Sequence, residues 1–200
     1  TAFLLKHKIM QTLTDAEEKR VLKGRIECDD AYLGAVHQTG KRGRGSKNKV
    51  PFIAAVQTDS SHHPKFAVLS PVKAFTREEV ANWARGHIAP RSLILSDALD
   101  CFKALDADYN HRIYNMKIAG KLISDSEFKW VNTILGNIKT AFSGALHAFD
   151  FRKYCGRYLG NMQFRFNHRF DLEECFYEVL SLSVLTGPKP AKFLFSQRAG

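Results

Sequence analysis

Residues 24–34, GRIECDDAYLG, set Ile26 and Cys28 against Arg25, Glu27 and Asp29, the two-residue alternation of a strand. Further strands are predicted at 50–58 (VPFIAAVQT) and 65–72 (KFAVLSPV), joined by the polar turn DSSHHP and forming an antiparallel meander with the first. Leu5, Ile9 and Leu13 recur at helical spacing within 2–20. Thr76 followed by Glu79 has the form of a capping box and opens a helix to about residue 86. SLILSD at 92–97 is a continuous apolar run closed by Asp97, the pattern of a buried strand between helices. A short helix at 98–106 and a weak strand near 111–115 come next. Helices follow from Ser126 to about Phe142, then over 151–164 and 171–185, and the tail from Gly187 carries two prolines and little periodicity.

Three strands, helix, strand, helix, strand and then helices is the order of the ribonuclease-H-like α/β fold. It predicts a mixed sheet of three antiparallel strands plus parallel ones, helices on both faces and a helical C-terminal extension. Two hundred residues with 44% apolar content suffice for one sizeable core. The expected division is a helical segment at 1–22 belonging to something upstream, a main domain at 23–185 and a tail at 186–200.

Charge adds a partner. A formal net charge of +10 and a pI near 9.5 point to a polyanion, of which nucleic acid is the commonest. The segment GKRGRGSKNK at 40–49 concentrates Lys41, Arg42, Arg44, Lys47 and Lys49 among three glycines with no acid. It reads as a cationic loop making salt-sensitive phosphate contacts, against the plainer reading of a solvated hairpin tip. Cys28, Cys101, Cys155 and Cys175 form no C-x-x-C pair and are expected to be reduced, mostly buried thiols of a cytoplasmic protein. No apolar run approaches the roughly 20 residues of a membrane helix, and no membrane partner is expected.

The carboxylates Glu27, Asp29 and Asp30 change the picture most. Clustered on a core strand they repel one another and resist desolvation unless a cation sits between them. In the expected layout the first strand and the 92–97 strand lie side by side, which brings Asp29 to Asp97 and makes an oxygen site for a hard divalent cation. Glu27 and Asp29 share one face of the strand and Asp30 takes the other. Asp29 is nearer the strand end and is the chosen ligand, with Asp30 and Glu27 as alternates. Asp97 taken alone also reads as the N-cap of the helix after it.

The third ligand is expected from the helix that starts near Ser126, which offers Asn132 and Asn137. Lys139 lies seven residues beyond Asn132, two turns on the same face with Gly136 between them, whereas Asn137 is rotated away. Asn132 is therefore preferred, with Asn137 as the alternate. In FRKYCGRYLGNMQFRFNHRF, Phe151, Tyr154, Tyr158 and Phe166 read as core, and Arg157, Arg165 and Arg169 are expected to face DNA or the acidic site. His62 and His63 lie in a turn and are not expected as ligands; His147 and His168 are weaker site neighbours.

Asp, Asp and then Asn 35 residues after Asp97, with Lys seven further on, resembles the DDE-type transposases and retroviral integrases. More narrowly, IECDDAYLG, KRGRGSKNK, LSDALDCF, WVNTILGNIKTAFSG and FRFNHRFDL are similar to bacterial insertion-sequence transposases whose third catalytic residue is Asn. The resemblance implies a catalytic triad of Asp29, Asp97 and Asn132, with Lys139 contacting DNA. It implies two Mg²⁺ per site, Mn²⁺ substituting, and two-metal phosphoryl transfer that cleaves and joins double-stranded DNA at transposon ends and target. It further implies at least a homodimer in the DNA complex, a bacterial nucleoid location during action, and an N-terminal DNA-reading region ending about where 1–22 lies. Ala98 departs from the Gly often found after the second Asp. The alternatives are a ribonuclease-H-like nuclease that only hydrolyses, and a non-catalytic DNA-binding remnant of a mobile element.

Overall fold

The computed structural model describes residues 2–34, 49–115, 126–144 and 149–196. Helix α1 (Ala2–Glu17) leads into strands β1 (Arg25–Leu33), β2 (Val50–Thr58) and β3 (Pro64–Pro71). Helix α2 (Arg77–His87) begins at Thr76, whose hydroxyl accepts the Glu79 N–H, the N-cap half of the capping-box reading. Strand β4 (Leu93–Asp97), a 3-10 turn (Asp100–Leu105) and strand β5 (Asn110–Tyr114) complete the sheet. Helices α3 (Lys129–Ser143), α4 (Phe151–Asn167) and α5 (Leu172–Leu185) follow, and the tail adds a short helix, α6 (Ala191–Ser196).

The five strands run in the order β3-β2-β1-β4-β5. β1 pairs antiparallel with β2, and β2 with β3, while β4 is parallel to both β1 and β5. This is the mixed ribonuclease-H-like sheet, with β1 at its centre. β2 reads as nearly unbroken apolar sequence because both its faces are covered: Phe52, Ala54 and Val56 belong to one core cluster and Ile53 and Ala55 to the other. The first cluster lies under α1, α3 and α4 and includes Met10, Val131, Ile138 and Leu159. The second lies under α2 and the 3-10 turn, where Ile26, Cys28 and Ile94 meet Val80 and Phe102.

Helix α1 packs along α4 so closely that a Cβ on Gly160 would stand 2.3 Å from the Thr14 hydroxyl oxygen. Buried polar groups fix this contact. The Glu17 carboxylate accepts from Arg20 Nη2 at 2.7 Å, Gln163 Nε2 at 3.1 Å and Asn167 Nδ2 at 2.7 Å. Burial pushes the Glu17 pKa up, but these bonds outweigh it and leave the carboxyl below its ordinary value. Phe151, Tyr154, Tyr158 and Phe166 pack against or within the first core cluster, as their spacing predicts. Cys28, Cys101 and Cys155 are buried and Cys175 is half-buried.

Candidate metal centre

Parallel pairing of β1 with β4 sets Cys28 beside Ser96. One step further along both strands stand Asp29 and Asp97, on the face that carries Glu27 and Leu95. Carboxylate oxygens of Asp29, Asp30 and Asp97 all lie within 4.8 Å of one another. Strand alternation sends Asp30 to the opposite face, yet it joins the cluster. The paired register ends at Cys28 and Ser96, so beyond it no β4 backbone separates the two faces of β1. The structure thus gathers a chosen residue and an alternate around Asp97.

Three half-buried carboxylates at this separation oppose one another. The pKa of Asp29 rises from 3.8 to about 7, first through burial and then through the charges of Asp30 and Asp97. The Asp30 N–H, which donates to Asp29 Oδ1 at 2.9 Å, and the positive charge of Lys139 only partly offset this. Asp97 Oδ1 accepts the Leu99 N–H at 3.0 Å. It is not a helix cap: the 3-10 turn starts at Asp100 after Leu99, with no side-chain cap. Ala98 needs no glycine, since the side-chain-bearing residues at positive φ among those described are His62 and Arg91.

Glu27, the other alternate, is held away from this cluster. Its carboxylate is fully buried, and Oε2 accepts the N–H groups of Trp130 at 2.8 Å and Val131 at 3.0 Å. Oε1 accepts from Arg25 Nη1 at 2.9 Å, and Arg25 reaches on to Thr58 Oγ1 and the Glu127 carboxylate. Glu27 therefore supplies the negative charge and the acceptors that the N-terminus of α3 requires. The sequence offers no signal for this role, because the strand and the helix it caps are about a hundred residues apart. The Trp130 indole N–H also donates to the His62 carbonyl at 2.6 Å, fixing the start of α3 to the β2–β3 turn.

Helix α3 buries Val131, Ile134, Leu135, Ile138 and Phe142. At about 100° per residue, Asn132 and Lys139 fall on one flank of that apolar stripe and Asn137 on the other. The positive charge of Lys139 is felt at Asp29, so Lys139 lies within electrostatic range of the acidic cluster. Asn137 instead lines a cavity with Met162, Arg165 and His168 of the α4 side. Between Asn132 and Lys139, a Cβ on Gly136 would meet nothing within 4 Å, so that side of the helix is open.

Lys49 stands at the start of β2 with its ammonium 5.9 Å from the Tyr32 ring centre. Lys41, Arg42, Arg44, Lys47 and His147 lie outside the described residues. The arginine expectation needs correction. Arg157 is buried, with Nε on Gln11 Oε1 at 2.6 Å and Nη2 on the Leu194 carbonyl at 2.6 Å, so it ties α4 to α1 and α6. Arg169 donates to the carbonyls of Pro64, Lys65 and Phe166 and closes the end of α4 onto β3. Arg165 is exposed on the Asn137 side. His168 stacks on Phe164 and pairs with Glu178 at 2.7 Å, and His63 pairs with Asp59 in the turn.

Residues 21–167 match the model of the ISXO2-like transposase domain, nearly three quarters of the chain. The chain belongs to that transposase family. Among curated proteins no sequence matches it. Solved structures similar to this transposase domain include a pre-cleavage Mos1 transpososome, at 10% identity over 86% of this chain and 62% of the other, with a TM-score of 0.29. The Mos1 transposase paired-end complex with left transposon end gives 11% identity, 86% and 61% coverage and a TM-score of 0.30. The Mos1 mariner paired end complex with Mn gives 11%, 90% and 63%, and 0.29. The transposase domain thus spans less than two thirds of the length of those proteins. The family assignment rests on the domain match. Among the described residues no helix is long and apolar enough to cross a membrane.

Proposed function

We propose that this transposase domain cleaves DNA strands at insertion-sequence ends and joins them to target DNA by divalent-metal-dependent phosphoryl transfer. The observation that carries the reading is the convergence of Asp29, Asp30 and Asp97 oxygens within 4.8 Å on a chain of net charge +10. A carboxylate pushed to about 7 by burial and by its acidic neighbours suits a site that takes up positive charge, and an oxygen-only donor set suits Mg²⁺ or Mn²⁺. Asp29, Asp97 and the Asn132 amide oxygen are the residues that would hold the ions, two per site, with Asp30 beside them. Cations bound there supply Lewis-acid polarisation of a phosphoryl oxygen and neutralise charge developing on it.

The chain's own residues do the rest. Lys139, within electrostatic range of the acids, sets a cation against a DNA phosphate, and the open space at Gly136 admits the backbone. Asn132 offers an oxygen without charge and cannot accept a proton as a carboxylate does, so proton removal falls to solvent. Lys49, together with the basic residues that precede it in sequence, adds further phosphate contacts. The partner is double-stranded DNA, and pairing two ends calls for at least two copies of the chain, acting at the bacterial nucleoid.

A strand-transfer assay with a pre-cleaved end in Mg²⁺ tests this. The wild type should give joined product, whereas Asp97→Ala should abolish cleavage and joining and leave DNA binding nearly intact. Hydrolysis without joining would make the protein a nuclease. An inert wild type binding DNA as well as the variant would make it a non-catalytic remnant.

A further inference from the structure

Strand β4 carries Ser96 next to Asp97, directed to the opposite face of the sheet. Ser96 is fully buried, and its hydroxyl donates to the Asp97 carbonyl oxygen at 2.9 Å. His111 on β5 places Nε2 2.8 Å from that hydroxyl and Nδ1 2.6 Å from Asp106 Oδ1. A hydroxyl has one hydrogen, and with it on the carbonyl all three contacts are hydrogen bonds when the ring carries hydrogens on both Nε2, toward Oγ, and Nδ1, toward the acceptor-only Asp106 carboxylate. The His111 side chain is wholly buried, while that of Asp106 is 55% exposed. A continuous chain of hydrogen bonds therefore runs from the surface to the peptide group of Asp97.

Serine, histidine and aspartate in this sequence of contacts are the parts of a hydrolytic triad, but nothing can be attacked here. The Ser96 oxygen has no access to a substrate, and its hydrogen is directed inward. The backbone it holds is the last residue of a five-residue strand, where pairing with β1 has already ended and only the pairing of Asp97 with Tyr114 of β5 remains. Beyond Asp97 the chain turns, and the Leu99 N–H takes the Asp97 carboxylate itself. Asp97 is thus restrained at its carbonyl from one face and at its carboxylate from the other, against the repulsion of Asp29 and Asp30.

We propose that Asp106, His111 and Ser96 form a positioning chain that holds Asp97 in place for metal binding. This rests on the reading of Asp29 and Asp97 as metal ligands. Partners of this outer kind commonly set metal affinity by about 10–100-fold.

The test is Mn²⁺ titration of the full chain, following free Mn²⁺ by electron paramagnetic resonance, with melting curves recorded in the absence of metal. Ser96→Ala and His111→Ala should each weaken Mn²⁺ binding by about tenfold. His111→Gln, whose amide N–H can still donate to Ser96, should recover part of the loss. Asp106→Asn alters only an exposed group, so it reports on the chain even where a buried variant fails to fold, and should weaken binding by a smaller factor of about three. Affinities within twofold of wild type for Ser96→Ala and Asp106→Asn would overturn the positioning role while leaving the metal site standing. If neither the wild type nor Asp97→Ala binds Mn²⁺, the metal reading falls and the positioning role falls with it.

Discussion

Replacing Glu27 by Gln removes one charge at the junction of β1, α3 and Arg25 with almost no change in shape. The carboxylate now accepts two N–H groups from α3, at 2.8 and 3.0 Å, and one from Arg25 at 2.9 Å. An amide has one acceptor oxygen. If it faces Trp130 and Val131, its NH₂ confronts the Arg25 guanidinium; if it is flipped, the NH₂ confronts the helix N-terminus. Either way at least one charge-assisted bond is lost, about 1.5–3 kcal/mol. Removing the charge from the helix N-terminus adds up to about 2 kcal/mol at a partly buried site. Glu27→Gln should therefore destabilise the protein by about 2–4 kcal/mol, and Glu27→Ala, which takes one carboxylate partner from Arg25 and leaves the Trp130 and Val131 N–H groups without their acceptor, by about 3–5 kcal/mol. Against a typical total of about 5–15 kcal/mol the Gln variant still folds. Urea unfolding monitored by Trp fluorescence measures the loss, and strand transfer should fall alongside because Asn132 and Lys139 ride on the loosened helix. A Gln variant within about 0.5 kcal/mol of wild type that nevertheless loses Mn²⁺ binding would refute this reasoning and make Glu27 a metal ligand.

Asn132→Glu adds a charge at the proposed third ligand and should tighten divalent-cation binding in Mn²⁺ titration; equal affinities would place Asn132 outside the metal shell. Asp29 has a folded pKa of about 7 against 3.8. Its contribution to the stability of the metal-free protein is therefore fully present below about pH 4 and is lost as pH rises through 7. Urea midpoints across that range should show the decline, with Mn²⁺ restoring stability at the upper end. Gly160→Ala drives a methyl into Thr14, 2.3–2.8 Å from its side-chain atoms, and should cost about 1–3 kcal/mol in unfolding experiments. A companion Thr14→Gly change should return part of that loss, and no recovery would mean that α1 and α4 do not meet there.

The chain by itself marked the strands and the longer helices and singled out Asp29 and Asp97 as candidates. Alternation in β1, the doubly covered apolar run of β2, the buried run of β4 ending at Asp97, and the capping box at Thr76 are local signals, because strand and helix periods repeat within a few residues. Their order constrained the topology enough to place β1 beside β4. What only the tertiary structure decided depends on groups far apart in sequence. Asp30 enters the acidic cluster because β4 pairing stops at Cys28, two residues before it. Glu27 serves α3 because a distant helix N-terminus lands on its carboxylate. The placing of the two flanks of α3 is set by how its apolar stripe sits on the sheet, which separates Asn132 from Asn137. Arg157, whose spacing alone suits a DNA contact, is buried by α1 and α6. Side-chain type and period fix what a segment can become, whereas the partner that meets each charge is chosen by packing across the whole fold.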